Sequence, residues 1–482
     1  MRLPTRDAIE ATHARVLGEH MPESLLIQTD TRAIERGATF LALRGENFDG
    51  HDYVDQAFAR GAVCAIIDQG TCHPDQPQCH PEPVEGCATC RPPEQVEAWS
   101  KRHAVLVVPD TLQAYLHLGG LARARVRGPV VAVTGSTGKT TTKQFLLALL
   151  RGAGIAVTAT PENENNEVGV AKFLCGLDDG DERVAIVEMG ARKYRDLDVL
   201  VAAARPDVGV LTNAGEAHLE IMGSRERIAE TKWAVPSGAR RAVLNLDDAV
   251  SRDRAESLAV PPTWYGIDAE RPPHGQRAVV IEPDAAWTIA EDGATETHHI
   301  AIGFPGDHNR RNLAGAFAAA LLCGATPEAL AAAVASVRLP HGRYEIVELA
   351  DDVRLVFDAY NASLSGTLAT LATFGREEAE RRIAVLGSMA ELGDDAPSMH
   401  EKIGEIAATR ADVVLAGGTF AADTARGVAS KGGAAVRYDS NDEAIAWLRA
   451  NVRRGDAILL KGSRKYKMEQ IAEALGAEVF AS

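Results

Sequence analysis

Apolar positions along this chain fall into short unbroken runs, separated by stretches in which apolar residues recur at a helical spacing. That pattern predicts strands buried on both faces alternating with amphipathic helices. The first twenty residues, MRLPTRDAIEATHARVLGEH, carry the spacing of one amphipathic helix. LLIQTDTR, ATFLAL and AVCAIID then read as strands, with a helix from Tyr53 to Arg60 among them; AVLVVP adds a strand, and a helix follows from Thr111 to Arg125. The dipeptide Gly128-Pro129 marks a boundary.

Beyond it come VVAVT, a helix after Lys139, AIVEM, a helix around Val199, VGVLTN, another helix and AVLNL. Such alternation predicts a mostly parallel sheet covered on both faces. Residues 263–303 read as short strands with turns, including the alternating THHIAIGF, and two Ala-rich helices follow between Leu313 and Val337, split by Thr326-Pro327-Glu328. The run Leu339-Pro340-His341-Gly342-Arg343 is a second boundary. After it RLVFDAY, IAVLGSM, VVLAGG, AVRY and AILLKG alternate with helices, as in an open doubly wound, Rossmann-like sheet. Its turn Gly417-Gly418 lacks the GxGxxG pattern, so dinucleotide binding is not indicated. The expectation is an α/β protein of three domains, over 1–127, 128–340 and 341–482, which suits a chain of 482 residues.

Composition narrows the function. With 46% apolar and 24% charged residues the chain is an ordinary globular one. Lys plus Arg number 51 against 67 Asp plus Glu, a net charge of -16, the wrong sign for general attraction to nucleic acid or an anionic membrane. An anionic ligand must therefore be held by local cations, backbone N–H groups or a metal ion. The N-terminus has no apolar signal core, and no run reaches the ~18 apolar residues of a membrane span. Seven cysteines without an export signal suggest reduced thiols in the cytoplasm. Cys72, Cys79, Cys87 and Cys90 cluster and invite a zinc reading, yet only Cys87 to Cys90 has CxxC spacing. A Pro-rich surface insertion from Thr71 to about Val96 is the plainer account.

The strongest chemical signal is VVAVTGSTGKTTTKQ, a buried strand, a Gly-rich turn and a helix start. Gly135, Ser136, Thr137 and Gly138 can turn backbone N–H groups toward phosphate oxygens, Lys139 can neutralise terminal phosphates, and Thr140 and Thr141 open the helix, Thr140 within reach of Mg²⁺. A strict phosphate loop needs glycine where Val133 stands, so this is a shortened variant. The next two strands end in metal-shell candidates, Glu188 and His218, with Glu220 an equal alternative to the histidine. A carboxylate after an apolar run is costly to bury unpaired, and a cation is the natural compensation.

At these residues the chain resembles the Mur ligases. TGSTGKTT, NENNEVG, VEMGA, TNAGEAHLE followed by Lys232, and GDHNRRNLAGA stand in the family's order. TDTRAIERGATFLALRGENFDGHDYV resembles the family's uridine-nucleotide-binding module, and DAYNAS, VLGSMAELGDD and LLKGSRKYKMEQ resemble the member that adds a dipeptide. The resemblance implies an N-terminal uridine-nucleotide-binding domain, a central ATPase-like domain and a C-terminal ligase domain. It implies an ATP-dependent ligase of peptidoglycan precursor synthesis, joining D-Ala-D-Ala to UDP-MurNAc-tripeptide through an acyl phosphate. Two Mg²⁺ ions, a carbamylated Lys232, small-molecule partners and a monomer come with it.

By the same resemblance, Lys139, His218, Lys232 and Asn166 are catalytic, with Asn165 near the transferred phosphate. Asn309 and Asn312 face adenine, while Arg343 and Asp358 close on ATP. Thr140, Glu188, His218 and Lys232 support metal, and Thr31, Arg32, Gly45, Asp49, Gly50 and His51 hold the uridine nucleotide. The chain departs from the family at Trp233-Ala234, Ser363-Leu364, Ser388 and Ala171. These departures leave open a different carboxylate and amine, and loss of turnover in a nucleotide-binding protein is a further alternative.

Overall fold

The computed structural model describes residues 1–45, 48–68, 93–162, 164–268, 270–290, 293–477 and 479. They form two units: Met1–Val130 with Thr160–Val187 and Val199–Arg205, and Val131–Ala159 with Glu188–Asp198 and Pro206–Ser482.

In the first unit the apolar runs pair as a five-stranded sheet in the order Arg15–Leu17, Ala104–Val108, Cys64–Asp68, Thr39–Leu41, Ile27–Gln28. All neighbours are parallel except the Arg15–Leu17 edge. That edge corrects the reading of one long N-terminal helix. The helix spans only Thr5–Thr12, because His13 turns left-handed at φ 51° and the following residues are captured by Ala104–Val108. Phe40, Val54, Ile67, Val96 and Trp99 share the core on one face of the sheet. Pro93–Ser100 is a helix with a proline in its first turn, so the expected insertion stops short of Val96. Cys72, Cys79, Cys87 and Cys90, and with them the zinc reading, lie outside the described residues.

In the second unit Val130–Thr134, Val208–Leu211, Arg241–Asn245, Thr263–Ile267 and Ala278–Ile281 are successive parallel neighbours. Ala285–Ile289 and Thr295–His299 extend this sheet antiparallel. The 263–303 segment is thus a continuation of the sheet, and in THHIAIGF the ladder ends at His299. A second sheet runs Glu345–Glu348, Arg354–Phe357, Asp456–Lys461, Arg381–Leu386, Val413–Gly417, Ala435–Tyr438, parallel apart from its first strand. Two apolar clusters cover it, one holding Leu371, Phe374 and Ile403, the other Ile383, Leu448 and Ile471. Both sheets therefore present the carboxyl ends of parallel strands, where open α/β folds place their ligands. Among the described residues no helix is long and apolar enough to cross a membrane.

Candidate active site

The strand Val130–Thr134 is wholly buried and delivers the chain into the turn Gly135–Gly138, after which Lys139 begins a helix running to Gly152. Two positions in the turn require glycine. Gly135 has φ 150°, and a Cβ there would stand 1.8 Å from Thr212 Oγ1; Gly138 has φ 81°, and its Cβ would meet Asn312 Oδ1 at 2.4 Å. The loop is pinned from the end of the next parallel strand. Asn213 Nδ2 donates to Thr137 Oγ1 at 2.9 Å, its Oδ1 accepts from the Thr137 N–H at 3.1 Å, and its carbonyl accepts from the Ser136 N–H at 2.9 Å. Asn213 carries no sequence signal beyond its place after VGVLT, and nothing in the pattern marks it as the residue that shapes the loop.

Glu188 ends the strand Val184–Glu188 and is 2% exposed. Its Oε1 accepts from Thr140 Oγ1 at 3.1 Å, and its Oε2 lies 3.2 Å from Nζ of Lys143. The cation that burial of this carboxylate demands is thus built into the protein, one helical turn after Lys139. Lys143 is itself fully buried, a place sequence reasoning did not assign to it.

Lys139 Nζ donates to the Gly135 carbonyl at 2.9 Å, and Lys232 Nζ reaches the same oxygen at 3.3 Å. Lys232 is 2% exposed; burial, with Lys139 adding to it, lowers its amine to about 7. Burial also lowers Lys139, helped by Arg343 and opposed by Glu188. His218 sits in left-handed backbone at φ 63° with Nδ1 hydrogen-bonded to the Glu391 carboxylate. Burial depresses its imidazole, Glu391 opposes that, and Lys232 and Lys139 push it further down.

From the second sheet come Arg343, whose guanidinium lies 4.3 Å over the Tyr360 ring, and Asp358, whose carboxylate accepts from the Thr370 hydroxyl and pairs with Lys461 at 3.1 Å. Burial lowers the Lys461 amine, with Asp358 opposing and Arg343 assisting. Asn312 lies against Gly138, whereas the buried Asn309 spends its amide N–H on the Pro305 carbonyl at 2.9 Å. The Ser136 and Ser365 hydroxyls are buried with no hydrogen-bond partner among the described residues.

A chain of net charge -16 thus brings Lys139 and Lys232 to one loop carbonyl, with the Arg343 charge acting on Lys139. Gly135 and Gly138 leave out a Cβ at the two positions of that loop where one would clash, the Ser136 hydroxyl has no hydrogen-bond partner among the described residues, and the Thr140 hydroxyl and Glu188 carboxylate offer hard oxygen donors. This set fits a polyphosphate with Mg²⁺.

Residues 25–104 match the Mur ligase family catalytic domain, 133–320 the Mur ligase middle domain, and 342–464 the Mur ligase glutamate ligase domain. The UDP-N-acetylmuramoyl-tripeptide--D-alanyl-D-alanine ligase of Synechocystis is 33% identical over 94% of this chain and 92% of its own length. The chain belongs to the Mur ligase family. The ligase of the same name from Bacillus subtilis is 31% identical over 93% of this chain and 92% of its own length. Among solved structures, MurF from Acinetobacter baumannii superposes with a TM-score of 0.79 at 26% identity, covering 98% of this chain and 99% of that one. MurF from Thermotoga maritima in complex with ADP gives 0.74 at 27%, covering 94% and 97%. The three-domain α/β architecture expected from sequence is therefore that of a Mur ligase, an ATP-dependent enzyme forming carbon–nitrogen bonds.

Within this Mur ligase the departures from the family pattern have structural explanations. Trp233 neighbours Lys232 in sequence, but successive helical residues point about 100° apart, and its ring packs with Leu211, Leu244 and Trp264. Ser363 caps the helix Leu364–Phe374. Ser388 ties two strand ends, donating to the Gly417 carbonyl at 3.1 Å and accepting from the Phe420 N–H at 2.9 Å. Ala171 lies inside the helix Glu167–Gly176, packed against Gly119, where a proline would remove a helical hydrogen bond. Asn166 caps that helix, its Oδ1 accepting from the Gly169 N–H at 3.0 Å.

The expected uridine set lies in the first unit. Thr31 Oγ1 donates to Gln56 at 2.8 Å, and the exposed Arg32 pairs with Asp30. Gly45 and Asp49 belong to a short hairpin, and a Cβ on Gly50 would meet the Leu43 carbonyl at 2.5 Å. His51 is 1% exposed, its Nδ1 bonded to Asp49 at 2.6 Å and its Nε2 accepting from the Asp68 N–H at 3.1 Å.

Proposed function

We propose that this Mur ligase joins D-alanyl-D-alanine to UDP-N-acetylmuramoyl-tripeptide, as the curated relatives are named, and that it does so in the cytoplasm as a monomer. The observation that carries the reaction type is the meeting of Lys139 and Lys232 on the carbonyl of a glycine-cradled loop, with the Arg343 charge acting on Lys139 and with Thr140 and Glu188 hydrogen-bonded at the start of the helix that follows. A carboxylate is a poor acylating group until one oxygen becomes a leaving group, and transfer of the γ-phosphoryl of ATP to it, with release of ADP, makes an acyl phosphate. The dipeptide amine then displaces phosphate and forms the amide.

The barrier to the first step is repulsion between two anions. Lys139 and Arg343 lower it by placing fixed positive charge where negative charge accumulates, and burial strengthens that interaction relative to water. The loop N–H groups and the Ser136 hydroxyl hold the transferred group in line. Thr140 and Glu188 would hold one Mg²⁺, and His218 with a carbamylated Lys232 a second; bound there, the ions supply Lewis-acid screening of the phosphate oxygens. With its amine lowered to about 7, Lys232 has a large neutral fraction at physiological pH, the form that adds CO₂.

Asn309 and Asn312 are assigned to the adenine side, Asp358 to closure on ATP, Asn165 and Asn166 to the region of the transferred phosphate, and Thr31, Arg32, Gly45, Asp49, Gly50 and His51 to the uridine nucleotide. The corresponding modules are 1–127, 128–340 and 341–482. A redirected acceptor loses its motive once Trp233, Ser363 and Ser388 have structural roles.

The test is phosphate release from Mg-ATP with UDP-MurNAc-tripeptide and D-Ala-D-Ala added singly and together, with mass spectrometry of the product and Lys139→Ala as control. Release needing both substrates, with a UDP-pentapeptide product, is expected. Release indifferent to the dipeptide rejects the acceptor, and none under any combination rejects turnover.

A further inference from the structure

Two non-glycine residues in left-handed backbone face each other beside the phosphate loop: His218 at φ 63° and Glu391 at φ 60°. L-residues avoid this region, and a side chain held there is kept in place by its surroundings. Here the surroundings are mutual. The Glu391 carboxylate accepts from His218 Nδ1, and the Glu391 carbonyl accepts from the Glu220 N–H at 3.3 Å. Leu392 next in the chain is 3% exposed, and Leu219 packs onto the apolar core of the second sheet. The turn after IAVLGSMA is therefore fastened to the turn that carries His218, and the Lys232 and Lys139 charges act on the same imidazole.

We propose that Glu391 is a positioning residue: it fixes His218 as the Nδ1–H tautomer and sets the ring's orientation, so that Nε2 is the free nitrogen at the phosphate site only while the C-terminal module is docked. An imidazole that serves a metal or phosphate through one nitrogen needs its other N–H held by a carboxylate or carbonyl. In this chain that group comes from the opposite module. The His218 turn thereby lacks its orienting carboxylate until residues 341–482 pack against it. The proposal rests on the ligase reading for His218's task, though the tautomer it asserts is independent of substrate.

The test is ring ¹⁵N–¹H correlation spectroscopy of the nucleotide-free protein, with the His218 signals assigned by His218→Gln. The wild type is expected to show a protonated Nδ1 with a strongly downfield ring proton and an unprotonated Nε2. Glu391→Ala is expected to lose that proton signal and move to the Nε2–H tautomer, with kcat lower by about 10- to 100-fold and the ATP KM within about threefold. Glu391→Gln, whose amide oxygen still accepts, keeps the Nδ1–H tautomer with its proton shifted upfield and retains most of kcat, which separates positioning from a folding defect. Ring signals identical in the wild type and both variants would overturn the proposal. An inactive wild type whose ring signals still respond to Glu391→Ala would leave it standing and reject the substrates instead.

Discussion

The amines of Lys139 and Lys232 meet at one acceptor, the Gly135 carbonyl, at 2.9 and 3.3 Å. Two ammonium groups on a single neutral oxygen repel each other in a buried space. The arrangement becomes favourable when a polyanion enters, or when one amine gives up its proton. Both fit a phosphoryl-transfer site, and the second accords with burial lowering both amines, Lys232 to about 7.

Lys232→Met should reveal this as a pH-dependent stability difference. The folded-state amine titrates near 7 and the unfolded one near 10.5. Between those values the unfolded chain holds a proton that the folded one lacks, so wild-type stability rises with pH. In CO₂-free buffer Lys232→Met should exceed the wild type most below pH 7, and the gap should close as pH approaches about 10. Urea titrations across this range check it, and a gap constant with pH would contradict it.

Lys143→Met should destabilise the fold by about 3–5 kcal/mol near neutral pH, because it leaves the Glu188 charge buried without its built-in counter-ion. Chemical denaturation at neutral pH measures the effect; a loss below about 1 kcal/mol would show the pair to be dispensable.

Gly135→Ala should leave the strand and helix intact and displace the loop, since the new methyl would overlap the Thr212 hydroxyl. ADP affinity, read by calorimetry, should fall at least about tenfold, or ~1.4 kcal/mol. Unchanged affinity would mean that the loop is not the phosphate cradle.

His51→Phe should cost stability in the first unit by roughly 1–3 kcal/mol for each hydrogen-bonding group left unpaired. If the ring is purely structural, uridine diphosphate affinity of the folded protein stays within about threefold. A large loss of affinity without loss of stability would instead give the ring a direct contact with the nucleotide.

Much of this was readable in the sequence where local chemistry is decisive. The loop from Gly135 to Thr140 announces itself because only glycine suits its backbone and because Lys-Thr opens the helix, and the parallel strands are legible as unbroken apolar runs such as VVAVT and AILLKG. What stayed hidden depends on long-range placement. Lys143 looks like any helical lysine until Glu188 is folded against it, Asn213 is one polar residue after a strand, and Glu391 has no periodicity to mark it. Trp233 misled for the converse reason: adjacency to Lys232 along a helix puts it on a different face. The periodicity of an N-terminal helix continues past Thr12, while pairing of Arg15–Leu17 with Ala104–Val108 decides the structure there.

The central claim, that this loop activates a substrate carboxylate by phosphoryl transfer, is tested most directly by oxygen tracing. UDP-MurNAc-tripeptide carrying ¹⁸O in its reacting carboxylate is turned over with Mg-ATP and D-Ala-D-Ala, and the inorganic phosphate is analysed by mass spectrometry. One ¹⁸O carried from the carboxylate into each phosphate is the predicted result, since the acyl phosphate breaks between carbonyl carbon and bridging oxygen. Amide formed with unlabelled phosphate would contradict it.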